Sequence, residues 1–338
     1  MPNDFNFFKV LEKDNKELIH SAFISYLFSC NNLFRDNLLK VSNIEFCKPL
    51  LERSYNISKK LKGRIDIEII SNDKKHIILI ENKFKSFPDK YQLDNYDKIF
   101  KKTYLNNQSI HKYLFCFDKS LIKFEHGWTV LDYNDLLKFT ETNFNTDESI
   151  DEKIFRTHYC NFLREYIDEY KRYMLDSRKL FLEDITNEKK FWLKLVYSNL
   201  HLKFIDYLSD EVVCSVNSGN ATIPFLDITP PKWTINNNKL LIQLQRDDLK
   251  FYIYSNDKNL IESIIEEANK DLKYNKMKFK KIDKKPDKSS YIFKIKISEN
   301  IDLDQKLDVD TLFLLLKKFY DNIDLEIVKN FNLNPKFT

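Results

Sequence analysis

Apolar and polar positions alternate along the chain with two different periods. Between 14 and 29, Leu18, Ala22, Ser25 and Ser29 recur three and four residues apart, interleaved with Ile19, Phe23 and Tyr26, which predicts a mostly buried helix. Asp14, with Glu17 three residues later, reads as the cap and its returning carboxylate. The polar members Glu17, His20 and Ser21 share one face of that helix. Residues 64–69 (Arg64 to Ile69) alternate with period two, and 76–80 (His76 to Ile80) form an apolar run suited to a sheet covered on both faces. The polar stretch 71–75 between them has hairpin length, so the two strands are expected to be antiparallel. Pro88 and Asp89 signal a turn before a helix over 90–100, a further strand is expected at 112–117, and a shorter one at 128–131 follows Gly127. Helix, strands, helix and strands in this order predict a mixed α/β domain.

From 151 to 208 the pattern turns helical, with a stripe of Phe155, Tyr159, Phe162, Leu163 and Tyr166. After the polar cluster 217–220, the segments 233–235 and 240–244 read as a hairpin around Asn236, Asn237 and Asn238, and 251–254 as a third strand. A helix is expected at 258–272, strands near 276–282 and 290–297, and a last helix at 308–320. The expected domains are therefore 1–150, a helical connecting segment 151–215, and a small α+β domain 216–338 serving recognition or assembly. No internal repeat is present.

Composition narrows the chemistry. Only 3 of the 338 residues are glycine, and Gly63, Gly127 and Gly219 lie far apart, so no glycine-rich phosphate cradle can be assembled. With 55 basic against 51 acidic residues the net charge is +4, so any basic surface is local. The five cysteines are odd in number and never form a CxxC pair, which speaks against a disulfide framework or a zinc ribbon. No secretory leader pattern and no long uncharged apolar run is present, so a soluble protein of the cytoplasm, without a membrane partner, is expected.

The informative stretch begins at Gly63-Arg64-Ile65-Asp66 and continues through Ile80-Glu81-Asn82-Lys83. An acid two residues before a lysine is common in a chain with 31% charged residues, but Glu81 and Lys83 emerge at the end of a strongly apolar strand. Residues two apart on a strand share a face, which sets the Glu81 carboxylate beside the Lys83 ammonium, with Asp66 on the neighbouring strand. Two carboxylates from adjacent strands can share a hard divalent ion such as Mg²⁺. Lys83 can then hold the attacking water or hydroxide, or stabilise charge on a phosphate, a division of labour suited to phosphodiester hydrolysis. The plainer alternative is a strand-end salt bridge. Glu68, on the same expected strand face as Asp66, could assist or replace it, whereas His20 reads mainly as a hydrogen-bonded structural histidine.

Asp66, then Glu81-Asn82-Lys83, then Gln92-Leu93-Asp94-Asn95-Tyr96 resembles the PD-(D/E)XK nuclease superfamily, in its branch with a helical QxxxY motif after the catalytic strand. The segment 17–21, beginning at Glu17, is similar to the opening helix of that branch, and the resemblance covers about residues 10–135. It implies a restriction-endonuclease-like mixed sheet flanked by helices within 1–150, ahead of the helical segment and the small α+β domain. It also implies that Asp66 and Glu81 bind metal, that Glu17 is a further ligand, that Asn82 offers its main-chain carbonyl, and that Lys83 is catalytic. Gln92 and Tyr96 would brace the site or touch the nucleic-acid backbone. Ile65 stands where the family often has proline.

The resulting expectation is a Mg²⁺-dependent nuclease, with Mn²⁺ as a substitute, acting on DNA in restriction or anti-phage defence. Lys62, Arg64, Lys98 and Lys101 are the expected phosphate contacts. The lysines from Lys276 to Lys288 are dense enough to add a second basic surface. Two alternatives remain: a catalytically silent nucleic-acid- or partner-binding protein with a nuclease fold, and a nuclease subunit active only with a partner or ligand. A homo-oligomer or a defence-system partner would be engaged through the C-terminal domain.

Overall fold

The structure, a computed structural model, describes residues 6–10, 17–84, 90–123, 127–142, 148–184, 186–208, 213–217, 223–235, 238–271, 279–280, 289–302 and 304–324. Asp14, Pro88, Asp89, residues 218–220, Asn236, Asn237 and the lysines Lys276, Lys278, Lys281, Lys284, Lys285 and Lys288 lie outside the described residues. The chain divides into two compact units, Met1–Glu169 and Tyr170–Thr338.

In the first unit a short helix α1 (Phe7–Val10) and α2 (Glu17–Cys30) precede the strands β1 (Leu50–Asn56), β2 (Lys62–Ile70) and β3 (His76–Lys83). Helix α3 (Lys90–Thr103), strands β4 (Ser109–Cys116) and β5 (Thr129–Asp132), and helices α4 (Tyr133–Thr142) and α5 (Ile150–Leu175) follow, the unit boundary falling inside α5. The five strands lie in sequence order; β1, β2 and β3 are antiparallel neighbours, while β3, β4 and β5 are parallel. The parallel pairing of β3 and β4 needs a crossover, and α3 supplies it. The expected mixed sheet flanked by helices, consistent with a restriction-endonuclease-like fold, is thus present.

Strand β3 is central, and its residues from Ile77 to Asn82 are buried. On the α3 side Ile65, Ile77 and Leu79 pack with Leu93, Tyr96, Ile99, Phe100, Leu114 and Trp128. On the other side α2, α4 and α5 bring together an aromatic layer of His20, Phe23, Phe84, Tyr133, Tyr159 and Phe162. A strand covered on both faces needs apolar residues at every position, which is why 77–80 shows no alternation. Strand β1 escapes sequence reasoning because it is an edge strand exposed at every position but Tyr55.

In the second unit α6 (Arg178–Leu182) and α7 (Asn187–Leu208) lead into β6 (Val213–Asn217), β7 (Phe225–Thr229), β8 (Thr234–Ile235), β9 (Asn238–Gln245) and β10 (Asp248–Tyr254). Helix α8 (Lys258–Asp271), strands β11 (Phe279–Lys280) and β12 (Ser289–Lys296), and helix α9 (Val309–Ile323) complete it. The strands form an antiparallel sheet, and Trp233 on that sheet stacks on Tyr320 of α9 with ring centroids 4.8 Å apart. Among these elements β6 and β7 had no counterpart in the sequence reading.

Gly63 has a packing reason. A Cβ there would stand 2.8 Å from Ile99 Cδ1 and 2.8 Å from Tyr96 Cε1, so the absent side chain is what lets β2 lie against α3. Gly63→Ala is expected to lower stability by about 1–3 kcal/mol, measured by urea unfolding; an unchanged midpoint would show that α3 yields freely.

A second prediction concerns Asp227 on β7. Burial lifts its carboxyl to about 6, against the lowering effect of the hydrogen bond that Gln243 Nε2 donates at 3.0 Å. An acid whose folded pKa is raised contributes most below its unfolded value, and that contribution is lost as pH rises through the folded one. Asp227→Asn should therefore gain on the wild type, by on the order of 1–2 kcal/mol, as the pH of urea unfolding is moved from 4 to 7. Parallel pH profiles for the two proteins would contradict this.

Candidate active site

The ladder between β2 and β3 ends at the pair Ile67 and Ile80, whereas β3 keeps pairing with β4 as far as Lys83 and Cys116. Past Ile80 the strands β2 and β3 fork. The Asn82 N–H, at the fork, donates to Asp66 Oδ2 at 2.7 Å, so the aspartate closes the gap that the ladder leaves. Strand alternation then sends Glu81 and Lys83 to the α3 side and Asn82 to the α2 side.

Lys83 Nζ lies 2.7 Å from Glu81 Oε1, with side-chain exposures of 12% and 2%. Gln92 Nε2, in the first turn of α3, donates to the same oxygen at 2.9 Å and to the Tyr96 hydroxyl at 2.8 Å. Tyr96 in turn donates to the Arg64 carbonyl at 2.5 Å, two residues before Asp66. Gln92 and Tyr96, one turn apart, thus tie α3 to both acid-bearing strands. Glu81 Oε2 is buried and has no hydrogen-bond partner among the described residues.

The electrostatics follow from this burial. Desolvation, reinforced by the Asp66 charge, lifts the Glu81 carboxyl to about 7 in spite of Lys83. Asp66 is raised by burial too, against the lowering effect of the Asn82 N–H and the Lys83 charge. Burial pulls the Lys83 ammonium down, but Glu81, Glu17 and Asp66 more than offset it, and the group stays protonated. Glu17, at the start of α2, therefore reaches Asp66 and Lys83 through its charge.

The other candidate residues separate clearly. Asn82 is fully buried, and its side chain donates to the Glu17 carbonyl and to Ser21 Oγ, each at 3.0 Å, while accepting from the Tyr133 hydroxyl. Glu68 is engaged elsewhere: it accepts hydrogen bonds from the Tyr55 and Tyr104 hydroxyls. His20 is buried, stacks on Phe84 with centroids 3.7 Å apart, and has Nδ1 2.9 Å from the Tyr159 hydroxyl, as a structural histidine would. Lys62, Arg64, Lys98 and Lys101 are all exposed, Arg64 pairing with Glu52 at 3.2 Å. Asn95 Nδ2 donates to the Lys62 carbonyl at 3.1 Å, holding that residue against α3 one turn before Lys98. Tyr133 went unnoticed in the sequence, where it is one of 18 tyrosines with no motif around it.

Residues 5–161 match the family model of the PD-(D/E)XK nuclease superfamily. This stretch is similar to that superfamily. The match spans the sheet, α2 to α4 and the first turns of α5, and so takes in the whole fork. Neither the curated proteins nor the solved structures yield a match to the chain. That similarity supports a nuclease-type, phosphodiester-hydrolysing function.

PD-(D/E)XK nucleases generally use divalent metals, and the donors at the fork fit a hard cation. Two carboxylates meet there, and one keeps a buried oxygen without a hydrogen-bond partner among the described residues. No group of three or more His, Cys, Asp or Glu side chains ready to hold a metal occurs among the described residues, so a cation at the fork would complete its shell with water and substrate oxygens.

The Tyr96 hydroxyl provides a structural test. Tyr96→Phe keeps the ring packed on Phe100 but leaves the Arg64 carbonyl without this donor. Stability is expected to fall by about 1–2 kcal/mol in urea unfolding; a loss below 0.3 kcal/mol, on the order of a neutral surface change, would mean that the hydroxyl does not hold β2.

Proposed function

We propose that the chain is a metal-dependent nuclease that hydrolyses DNA phosphodiester bonds at the fork between β2 and β3, with Asp66, Glu81 and Lys83 as its catalytic set. The observation that carries this reading is the buried Oε2 of Glu81, without a hydrogen-bond partner among the described residues, under the charge of the Asp66 carboxylate. A salt bridge kept only for stability would have no need of a second buried acid. Here Lys83 and Gln92 both engage Oε1 and leave Oε2 open, an arrangement costly unless something binds there.

Asp66 and Glu81 would hold Mg²⁺, or Mn²⁺ in its place, with Glu17 and the Asn82 carbonyl nearby as further oxygens. When bound, the cation supplies Lewis-acid polarisation and neutralises charge on the phosphate. Lys83, held by Glu81, donates hydrogen bonds to the attacking water or to a phosphate oxygen. Gln92 orients Glu81, and Tyr96 holds the strand that carries Asp66. Lys62, Arg64, Lys98 and Lys101 supply charge for the phosphates on either side of the scissile bond. Restriction or anti-phage defence in the cytoplasm is the setting proposed, with the second unit serving recognition or assembly.

The test is a panel of linear, circular and single-stranded DNA and RNA incubated with Mg²⁺, Mn²⁺ or EDTA. Wild-type protein is expected to cleave DNA only with metal. Asp66→Ala and Lys83→Ala are expected to lose at least about 100-fold in rate while keeping the wild-type circular dichroism spectrum. Cleavage at the wild-type rate by both variants would remove these residues from catalysis. Wild-type protein that binds Mn²⁺ yet cleaves nothing would favour a subunit that needs a partner.

A further inference from the structure

We infer that Asn82 and Tyr133 are positioning residues that set Glu17, at the start of α2, against the metal-binding carboxylates. This rests on the nuclease reading and deepens it. Asn82 sits between Glu81 and Lys83 but faces the opposite layer, and it serves both. Its main-chain N–H holds Asp66 at 2.7 Å, and its side-chain amide holds the Glu17 carbonyl at 3.0 Å. One fully buried residue therefore links the acid of β2 to the acid of α2.

Glu17 opens α2, and a first-turn residue is where a helix frays. Its carbonyl is gripped twice from the side: Ser21 Oγ donates to it at 3.1 Å, and Asn82 Nδ2 does so at 3.0 Å. The second Nδ2 hydrogen goes to Ser21 Oγ at 3.0 Å, so both amide hydrogens point at this turn. A carbonyl can only accept, so only the NH₂ end of Asn82 can face Glu17.

The Tyr133 hydroxyl donates to the other end, Asn82 Oδ1, and completes the hydrogen bonding of the amide. The tyrosine ring is fully buried against Phe84, edge to face with centroids 4.8 Å apart, and against His20 at 5.4 Å. Without that hydroxyl the buried Asn82 Oδ1 loses this donor, a cost the amide relieves only by shifting away from the Glu17 carbonyl, and the turn loses its anchor. The same asparagine holds Asp66 through its main-chain N–H and the Glu17 carbonyl through its side chain, so loosening this turn would be felt at the fork.

The experiment is a double-mutant cycle on Mn²⁺ affinity, measured by calorimetry on the full chain without substrate. Glu17→Gln and Tyr133→Phe are each expected to weaken binding by about tenfold or more. Adding Tyr133→Phe to Glu17→Gln is expected to change the affinity by less than about twofold, because the hydroxyl acts through Glu17. Asn82→Ala, which keeps the main-chain N–H, should repeat this pattern and provides the same test if Tyr133→Phe does not fold. A purely structural role would lower the thermal midpoint equally in both backgrounds and leave the Mn²⁺ affinity unmoved. Wild-type-like affinity in Tyr133→Phe and Asn82→Ala, full additivity, or an unaffected Glu17→Gln would each overturn the inference and leave the nuclease reading standing. Wild-type protein that binds no Mn²⁺ would overturn both.

Discussion

The Glu81 carboxylate ends a strand buried on both faces, where an isolated negative charge is costly. Lys83 offsets part of that cost through one oxygen, and Gln92 shares the same one. Asp66, brought in by the fork, adds a second acid and raises the proton affinity of the first. Under the proposed function a cation would complete such a pair, and the surrounding elements hold the pair in place. Helix α3 ties Glu81 to the Arg64 carbonyl through Gln92 and Tyr96, and Gly63 lets the helix come close enough to do so.

The fork itself results from a conflict of pairings. Strand β3 follows β4 to its last residue, while β2 leaves it four residues after the turn pair Ile70 and Ile77. A free N–H inside a protein needs an acceptor, and Asp66 provides one. The acid is thus placed by the demand of the backbone for a hydrogen bond as much as by its own side-chain chemistry. Asn82 extends the same logic to the opposite layer, where the aromatic packing of His20, Phe84 and Tyr133 holds α2 against the sheet. A charged cluster can stay rigid here because the layers on both sides of it are densely packed.

The second unit has an antiparallel sheet in which alternate residues are buried along β7 and β10, five consecutive residues are buried along β9, and the β10–β12 register shifts at Phe251 and Tyr252. It holds a half-buried acid of its own, Asp227, with Gln243 as a partner. Within this unit Trp233 joins sheet and helix, stacking on Tyr320 and donating Nε1–H to Asp324 at 2.8 Å.

Much of the first unit was legible from periodicity. The apolar run 77–80 reads as a covered strand, the alternation at 64–69 places its neighbour, and the i, i+4 spacing of Gln92 and Tyr96 puts both on one helix face. The edge strand β1 was not legible, because exposure at all but one position erases the apolar signal. Strands β6 and β7 were missed as well: their five residues each give too short a window for alternation to stand out. Gly63 is a point of close approach, which depends on where α3 lies.

Glu68 shows the limit most clearly. By strand period it shares a face with Asp66, yet the fork divides them, and the Tyr55 and Tyr104 hydroxyls take the Glu68 carboxylate. By itself the sequence determined most of the elements, the absence of a glycine cradle and the residue types that could meet, because periodicity and composition are local properties. Only the tertiary structure decided which acids meet and that Asn82 and Tyr133 join them, because hydrogen bonds between layers link positions tens of residues apart and leave no periodic trace in the chain.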